Sequence, residues 1–144
     1  MKNYWIGIVG SVQAVLNFEE RPWWCFPVTA KKGDVILLYC PRSVSDKNQG
    51  IFGLANIKEP IDQNHENNYY CTGFGRNFGR GRPLFYGELK FQKRYKMTLT
   101  AKEMKKDHLL GRSNFVRRNF QGTTFKVDEE YFNRIKELIT KKNK

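Results

Sequence analysis

Cysteine is scarce in this chain and poorly placed for a framework. Cys25, Cys40 and Cys71 are odd in number, far apart and without a CxxC pair. That excludes a disulfide scaffold and suits a reducing compartment, so the expected location is cytoplasmic. Histidine is scarcer still, with two in 144 residues. His65 and the three cysteines lack metal-ligand spacing, so no metal is expected. Two histidines in polar segments do not assemble a Ser-His-Asp or Cys-His constellation. The paired acids Glu19/Glu20 and Glu129/Glu130 read as helix ends, and no nuclease-like cluster of acids with a lysine is present. No catalytic residue and no cofactor is therefore expected; the chain reads as a binding module, not an enzyme. No stretch approaches the ~20 apolar residues that cross a bilayer. The apolar N-terminus is interrupted by Gln13, Asn17, Glu19 and Glu20 and lacks a small-residue cleavage site, so it reads as mature structure.

Acids are evenly divided between the halves, but basic residues are scarce in the first. Residues 1–72 hold seven Lys/Arg and seven Asp/Glu, whereas residues 73–144 hold nineteen and seven, so the whole formal charge of +12 lies in the second half. Such asymmetry points to a polyanionic partner.

A length of 144 residues suits one domain over 1–144, acting as a monomer or as the N-terminal domain of a larger chain. "YWIGIV" (4–9) predicts a strand, and "SVQAVLNFEE" (11–20) a short helix capped by Ser11. Pro22 and Pro27 bracket an expected loop that contains Trp23 and Trp24. Gly33 and Asp34 turn into "VILLYC" (35–40), apolar enough to be buried on both faces. A ten-residue polar connection then leads to "IFGLANI" (51–57), its expected antiparallel partner. Residues 58–83 lose periodicity and read as a long loop. "LFYGELKFQKRYKMTL" (84–99) alternates as a long bent strand or a hairpin. "TAKE" (100–103) is a capping box opening a helix to about Leu110. "GRSNFVRRNFQG" reads as a basic, aromatic loop and "TTFKV" as a last strand. "DEEYFNRIKELITKK" is a terminal helix capped by Asp128, with Tyr131, Phe132, Ile135, Leu138 and Ile139 as its apolar face. The expected fold is α+β: a small mixed β-barrel of five to six strands with flanking helices.

The order of an aromatic-rich first strand, a tryptophan segment, "KKGDVILLYCP" and "GIFGLANI" resembles the core of the PUA-like superfamily, and EVE domains above all, with YTH domains next. "YGELKFQKRYK", "FQGTTFKV" and "DEEYFNRIKELI" fall where an EVE domain has its last strands and helix. The chain departs from the commonest EVE pattern at one place. It has "RPWWCFPVTAKK" where a "GVRNYQARN"-like stretch stands before the GD strand. The early tryptophan is similar to that of domains which read modified bases through an aromatic pocket, including those that target modification-dependent restriction enzymes.

Reading one modified base requires taking it out of the stack and enclosing it, and aromatic faces then replace ~1–3 kcal/mol of lost stacking. Trp23 or Trp24 is the expected wall, with Trp5 or Tyr39 opposite and Ser11 and Asn17 as edge-reading groups. "GFGRNFGRGR" (73–82) interleaves Arg76, Arg80 and Arg82 with Phe74 and Phe78 and holds no acid. Arginine pairs with phosphate and glycine admits the backbone closely. It is neither a GxGxxG fingerprint nor a Walker loop. Arg112, Asn114, Arg117 and Arg118 offer a second set of phosphate contacts. The expected partner is nucleic acid, DNA or RNA, and no membrane. The first function expected is modified-base recognition by base flipping, alone or as the targeting domain of a restriction or defence system. The second is an RNA-binding accessory role on ribosomal or transfer RNA. The third is an ASCH-like enzyme of nucleotide-type substrates, for which a pocket-directed acid–base pair is lacking.

Overall fold

The computed structural model describes residues 2–20, 23–27, 29–61, 84–120 and 124–144, with backbone placement alone at 23–27, 59–61 and 84–86. Six strands among these residues form one mixed sheet in the order β2-β5-β4-β3-β1-β6. They are β1 (Tyr4–Ile8), β2 (Trp23–Pro27), β3 (Val35–Cys40), β4 (Gly50–Ile61), β5 (Leu84–Leu99) and β6 (Thr124–Val127). The helices are α1 (Val12–Leu16), α2 (Ala101–Lys106), α3 (Asn114–Arg117) and α4 (Glu129–Lys142). The class is α+β, as expected. The sheet is barrel-like, and hydrogen bonding among the described residues does not close it.

At the centre lies β3, all six of its residues buried. It pairs antiparallel with β4 and in parallel with β1, Ile6 registering with Leu37. Alternation along β3 divides the core in two. Val35, Leu37 and Tyr39 face a cluster closed by Met104, Leu110, Val116, Ile135 and Ile139 from the later helices. Ile36, Leu38 and Cys40 face a cluster with Trp5, Phe52, Val15 and Phe18. These are the helical face and the α1 face.

The segment 84–99 is one continuous 16-residue strand rather than a hairpin. Its pairing with β4 shifts register three times, each shift a bulge or irregularity in the ladder. "WWCFP" is not a loop but an edge strand. Trp23 registers with Glu88 and Trp24 with Gly87 of β5, and Pro27 closes the strand at the edge, where a missing N–H is tolerated. The basic stretch after Leu110 is not a loop either. A 3₁₀ turn (Leu110–Arg112) runs into α3, whose N-cap Ser113 is buried. The capping box forms as expected: Thr100 Oγ1 accepts from Glu103 N while Glu103 Oε1 accepts from Thr100 N. Asp128 stands at the N-cap of α4 without a side-chain capping bond. Phe132, Ile135 and Ile139 of α4 are buried, with Tyr131 and Leu138 packed beside them.

Candidate nucleic-acid interface

The GD turn is a structural hub. Gly33 adopts φ +91°, a conformation that disfavours a side chain, and delivers Asp34 into the core. The buried Asp34 carboxylate accepts from Trp5 Nε1 at 3.0 Å, Lys31 N at 3.0 Å and Asn3 N at 2.9 Å. Trp5 is thus held by its one polar atom and is only 3% exposed. A buried indole with its N–H satisfied is a core residue and offers no free face to a base.

Tyr39 is also core, on the opposite face. Its ring stacks on Phe120 with centroids 4.1 Å apart and planes 9° from parallel, and burial pushes its phenol up to about 12. With the sheet between them, Trp5 and Tyr39 do not face each other across one pocket. Cys40 is buried, which pushes its thiol up, away from the reactive thiolate.

Ser11 and Asn17 stand at opposite ends of α1. Ser11 Oγ caps the helix by accepting from Ala14 N at 3.1 Å; Asn17 is its C-cap. Both residues are exposed. A five-residue helix does not hold itself in water. Arg94 of β5 holds it. Its Nε and Nη2 donate to Glu19 at 2.6 and 2.7 Å, and Nη2 also donates to Val15 O at 2.7 Å. The guanidinium lies 5.2 Å from the Phe52 ring centroid and 5.8 Å from that of Phe91. Hydrogen bonding to Arg94 holds the Glu19 carboxyl below its ordinary range. Strand β5 therefore carries α1 through Arg94 and β2 through its ladder. The sequence offered no signal for Arg94, because its partner is 75 residues away.

Arg112, Asn114, Arg117 and Arg118 are all exposed along the 3₁₀–α3 segment, and none forms an ion pair among the described residues. Ser113 organises them: its Oγ donates to Leu110 O at 2.7 Å and accepts from Val116 N at 3.4 Å. Arg76, Arg80 and Arg82 lie outside the described residues. Among the described residues, no three His, Cys, Asp or Glu gather to hold a metal ion, and no helix is long and apolar enough to cross a membrane.

Comparison with known proteins gives this arrangement its setting. No curated protein matches the chain. It is similar in structure to a hypothetical protein from Leishmania major, with a TM-score of 0.67 at 16% identity over 100% of this chain and 98% of that one. It is similar to human THYN1, solved in complex with 5-methylcytosine-containing DNA, with a TM-score of 0.62 at 16% identity over 96% and 98%. A mutant of the ZmASCH protein from Zymomonas mobilis aligns with a TM-score of 0.61 at 13% identity over 95% and 99%. At such identities these likenesses speak for the fold. The EVE domain family itself matches residues 3–138, nearly the whole chain, and the protein belongs to that family.

Proposed function

We propose that this EVE domain binds nucleic acid and reads a modified base within it. The observation that carries the reading is the end-to-end likeness to human THYN1, a protein solved with 5-methylcytosine-containing DNA. Arg112, Arg117 and Arg118, exposed and without an ion pair among the described residues, support it, since arginine not held by a carboxylate is available to phosphate. Trp23 or Trp24 supplies the aromatic wall for a flipped base, and Ser11 and Asn17 read its edge. Trp5 and Tyr39 shape the core behind them. Arg76, Arg80, Arg82 and Asn114 complete the backbone contacts. The domain acts as a binding module without catalysis of its own. It is a monomer or the leading domain of a cytoplasmic modification-dependent restriction or defence protein.

The test is a panel of 5-methylcytosine duplex, unmodified duplex and RNA of one sequence, titrated at several salt concentrations. The expected order places the modified duplex first. Alanine at the pocket tryptophan costs ~1–3 kcal/mol of binding, the stacking of one base, and more on modified than on unmodified DNA. Equal affinity for the two duplexes sinks base reading. Preference for RNA favours the accessory role instead.

A further inference from the structure

The stretch from Thr100 to Phe120 holds six Lys/Arg and two acids, and it uses both acids within its own scaffold. Glu103 Oε1 accepts from Thr100 N and from Lys142 Nζ, the latter at 2.6 Å. Asp107 Oδ1 accepts from Arg134 Nη2 at 2.7 Å, and its Oδ2 accepts from Leu109 N and Leu110 N. Lys102, Lys105, Lys106, Arg112, Arg117 and Arg118 are all exposed, without an ion pair among the described residues. The apolar Met104, Leu110 and Val116 point the other way, fully buried. One side of this layer is therefore core and the other carries cations with no local acid to neutralise them.

The layer is also stiff. A Cβ at Gly111 would stand 2.7 Å from Lys105 O, so glycine lets the 3₁₀ turn close directly onto the end of α2. After α3, Asn119 and Phe120 both take positive φ, 56° and 58°. A left-handed phenylalanine is costly, and such outliers persist where packing over-determines them. Here the stack of Phe120 on Tyr39 does so and fixes the turn that presents Arg117 and Arg118.

We propose that the outer side of the α2–α3 layer is a sequence-blind grip for a phosphodiester backbone, in which Lys102, Lys105 and Lys106 extend the arc of Arg112, Arg117 and Arg118. This rests on the reading of the chain as a nucleic-acid binder. The layer belongs to the helical face, whereas α1 packs on the opposite face of the sheet. Grip and base reading are consequently separable: the grip sets affinity and its salt dependence, and the α1 side sets preference for the modified base.

The experiment compares wild type with the triple variant Lys102→Gln, Lys105→Gln, Lys106→Gln on modified duplex, unmodified duplex, RNA and phosphatidylserine vesicles, from 50 to 200 mM salt. The three lysines have no ion-pair partner among the described residues, so the variant melts with the wild type. Each cation withdrawn from a phosphate lowers the slope of log affinity against log salt by about 0.9 on duplex DNA. With three withdrawn, the wild type loses roughly 40-fold more affinity than the variant across that salt range. The modified-to-unmodified ratio stays the same in both proteins. Triple replacement by arginine restores the slope. An unchanged slope on both polymers overturns the grip even if the modified duplex is still preferred. A wild type with no base preference but a slope that falls in the variant sinks base reading and keeps the grip. Loss of vesicle binding in the variant, with neither polymer bound by the wild type, reassigns the face to a membrane and overturns it.

Discussion

Both faces of the sheet are fastened by an arginine–carboxylate clasp, and the two clasps differ in dryness. Arg94 meets Glu19 on the α1 face with side chains 33% and 44% exposed. Arg134 meets Asp107 on the helical face with side chains 32% and 6% exposed, so the difference lies in the carboxylate. The first holds a five-residue helix that otherwise rests on its Ser11 cap and the buried Val15. The second joins the end of α2 to α4 over a deep apolar cluster that already includes Met104, Leu110, Ile135 and Ile139. The same chemistry leaves the Glu19 carboxylate half in water beside a short helix and takes the Asp107 carboxylate out of water over a deep cluster. Local stability is lowest where few buried contacts hold an element. The α1 segment, with Val15 as its one buried residue, is accordingly expected to open more readily than the helical face.

The hardest test of that contrast is Asp34, which anchors the α1 face at its root. Asp34→Asn turns one carboxylate oxygen into an NH₂ that confronts either Trp5 Nε1 and Lys31 N together, at Oδ2, or Asn3 N, at Oδ1. A buried donor left unsatisfied costs ~1–3 kcal/mol, so the variant loses roughly 3 kcal/mol in urea unfolding. A loss under about 1 kcal/mol would mean that the face is held chiefly by apolar packing, and the contrast between faces would vanish.

Local signals made the core strands and helix starts legible, and distance hid the rest. "VILLYC" is apolar at every position, and "TAKE" carries its own capping partners three residues apart. "WWCFP" reads as a loop because prolines flank it and its ladder partner begins sixty residues later. "RSNFVRR" reads as a loop because Gly111 and Asn119 punctuate it, while the buried Ser113 cap that winds it into a turn shows only in three dimensions. Ser11 and Asn17 flank α1 at its two caps, where the short helix read from the sequence puts them. Trp5 and Tyr39 read as a pair because both are aromatic. They are separated because β1 and β3 run in parallel with Trp5 opposite Ile36, so that Tyr39 falls on the other face.

Acid titration sharpens the comparison of the two clasps. Hydrogen bonding to its arginine holds each carboxyl, Glu19 and Asp107, below its ordinary value of 4.5 or 3.8. A depressed folded-state pKa adds stability that is complete above the ordinary value and drains as pH falls through the lowered one. Both contributions are therefore present at pH 7 and lost below about pH 4. Asp107→Asn costs about 2 kcal/mol at pH 7, because its little-exposed carboxylate accepts from Leu109 N and Leu110 N as well as from Arg134. Glu19→Gln costs ~0.5 kcal/mol globally, since solvent screens a half-exposed pair. Hydrogen exchange separates them further: Glu19→Gln speeds exchange at residues 12–20 alone, and Asp107→Asn speeds it across α2 and α4. Equal, global effects from both would show that the α1 face has no independent opening.

The smallest expected effect has the opposite sign and probes the apolar side of the contrast. Tyr95 on the helical face is 4% exposed, and its hydroxyl has no hydrogen-bond partner among the described residues. Burial pushes its phenol up, in keeping with an oxygen removed from water. A buried hydroxyl without a partner is desolvated with nothing to offset it, so deleting it removes a cost rather than an interaction. Tyr95→Phe keeps the ring, its packing and the Lys93 ammonium 5.5 Å from the ring centroid. The variant is expected to be unchanged or more stable by ~0.5–1 kcal/mol, a rise of a few degrees in Tm. A fall of several degrees would reveal a hydroxyl tied into a polar network, and the helical face would then depend on specific polar bonds as the α1 face does.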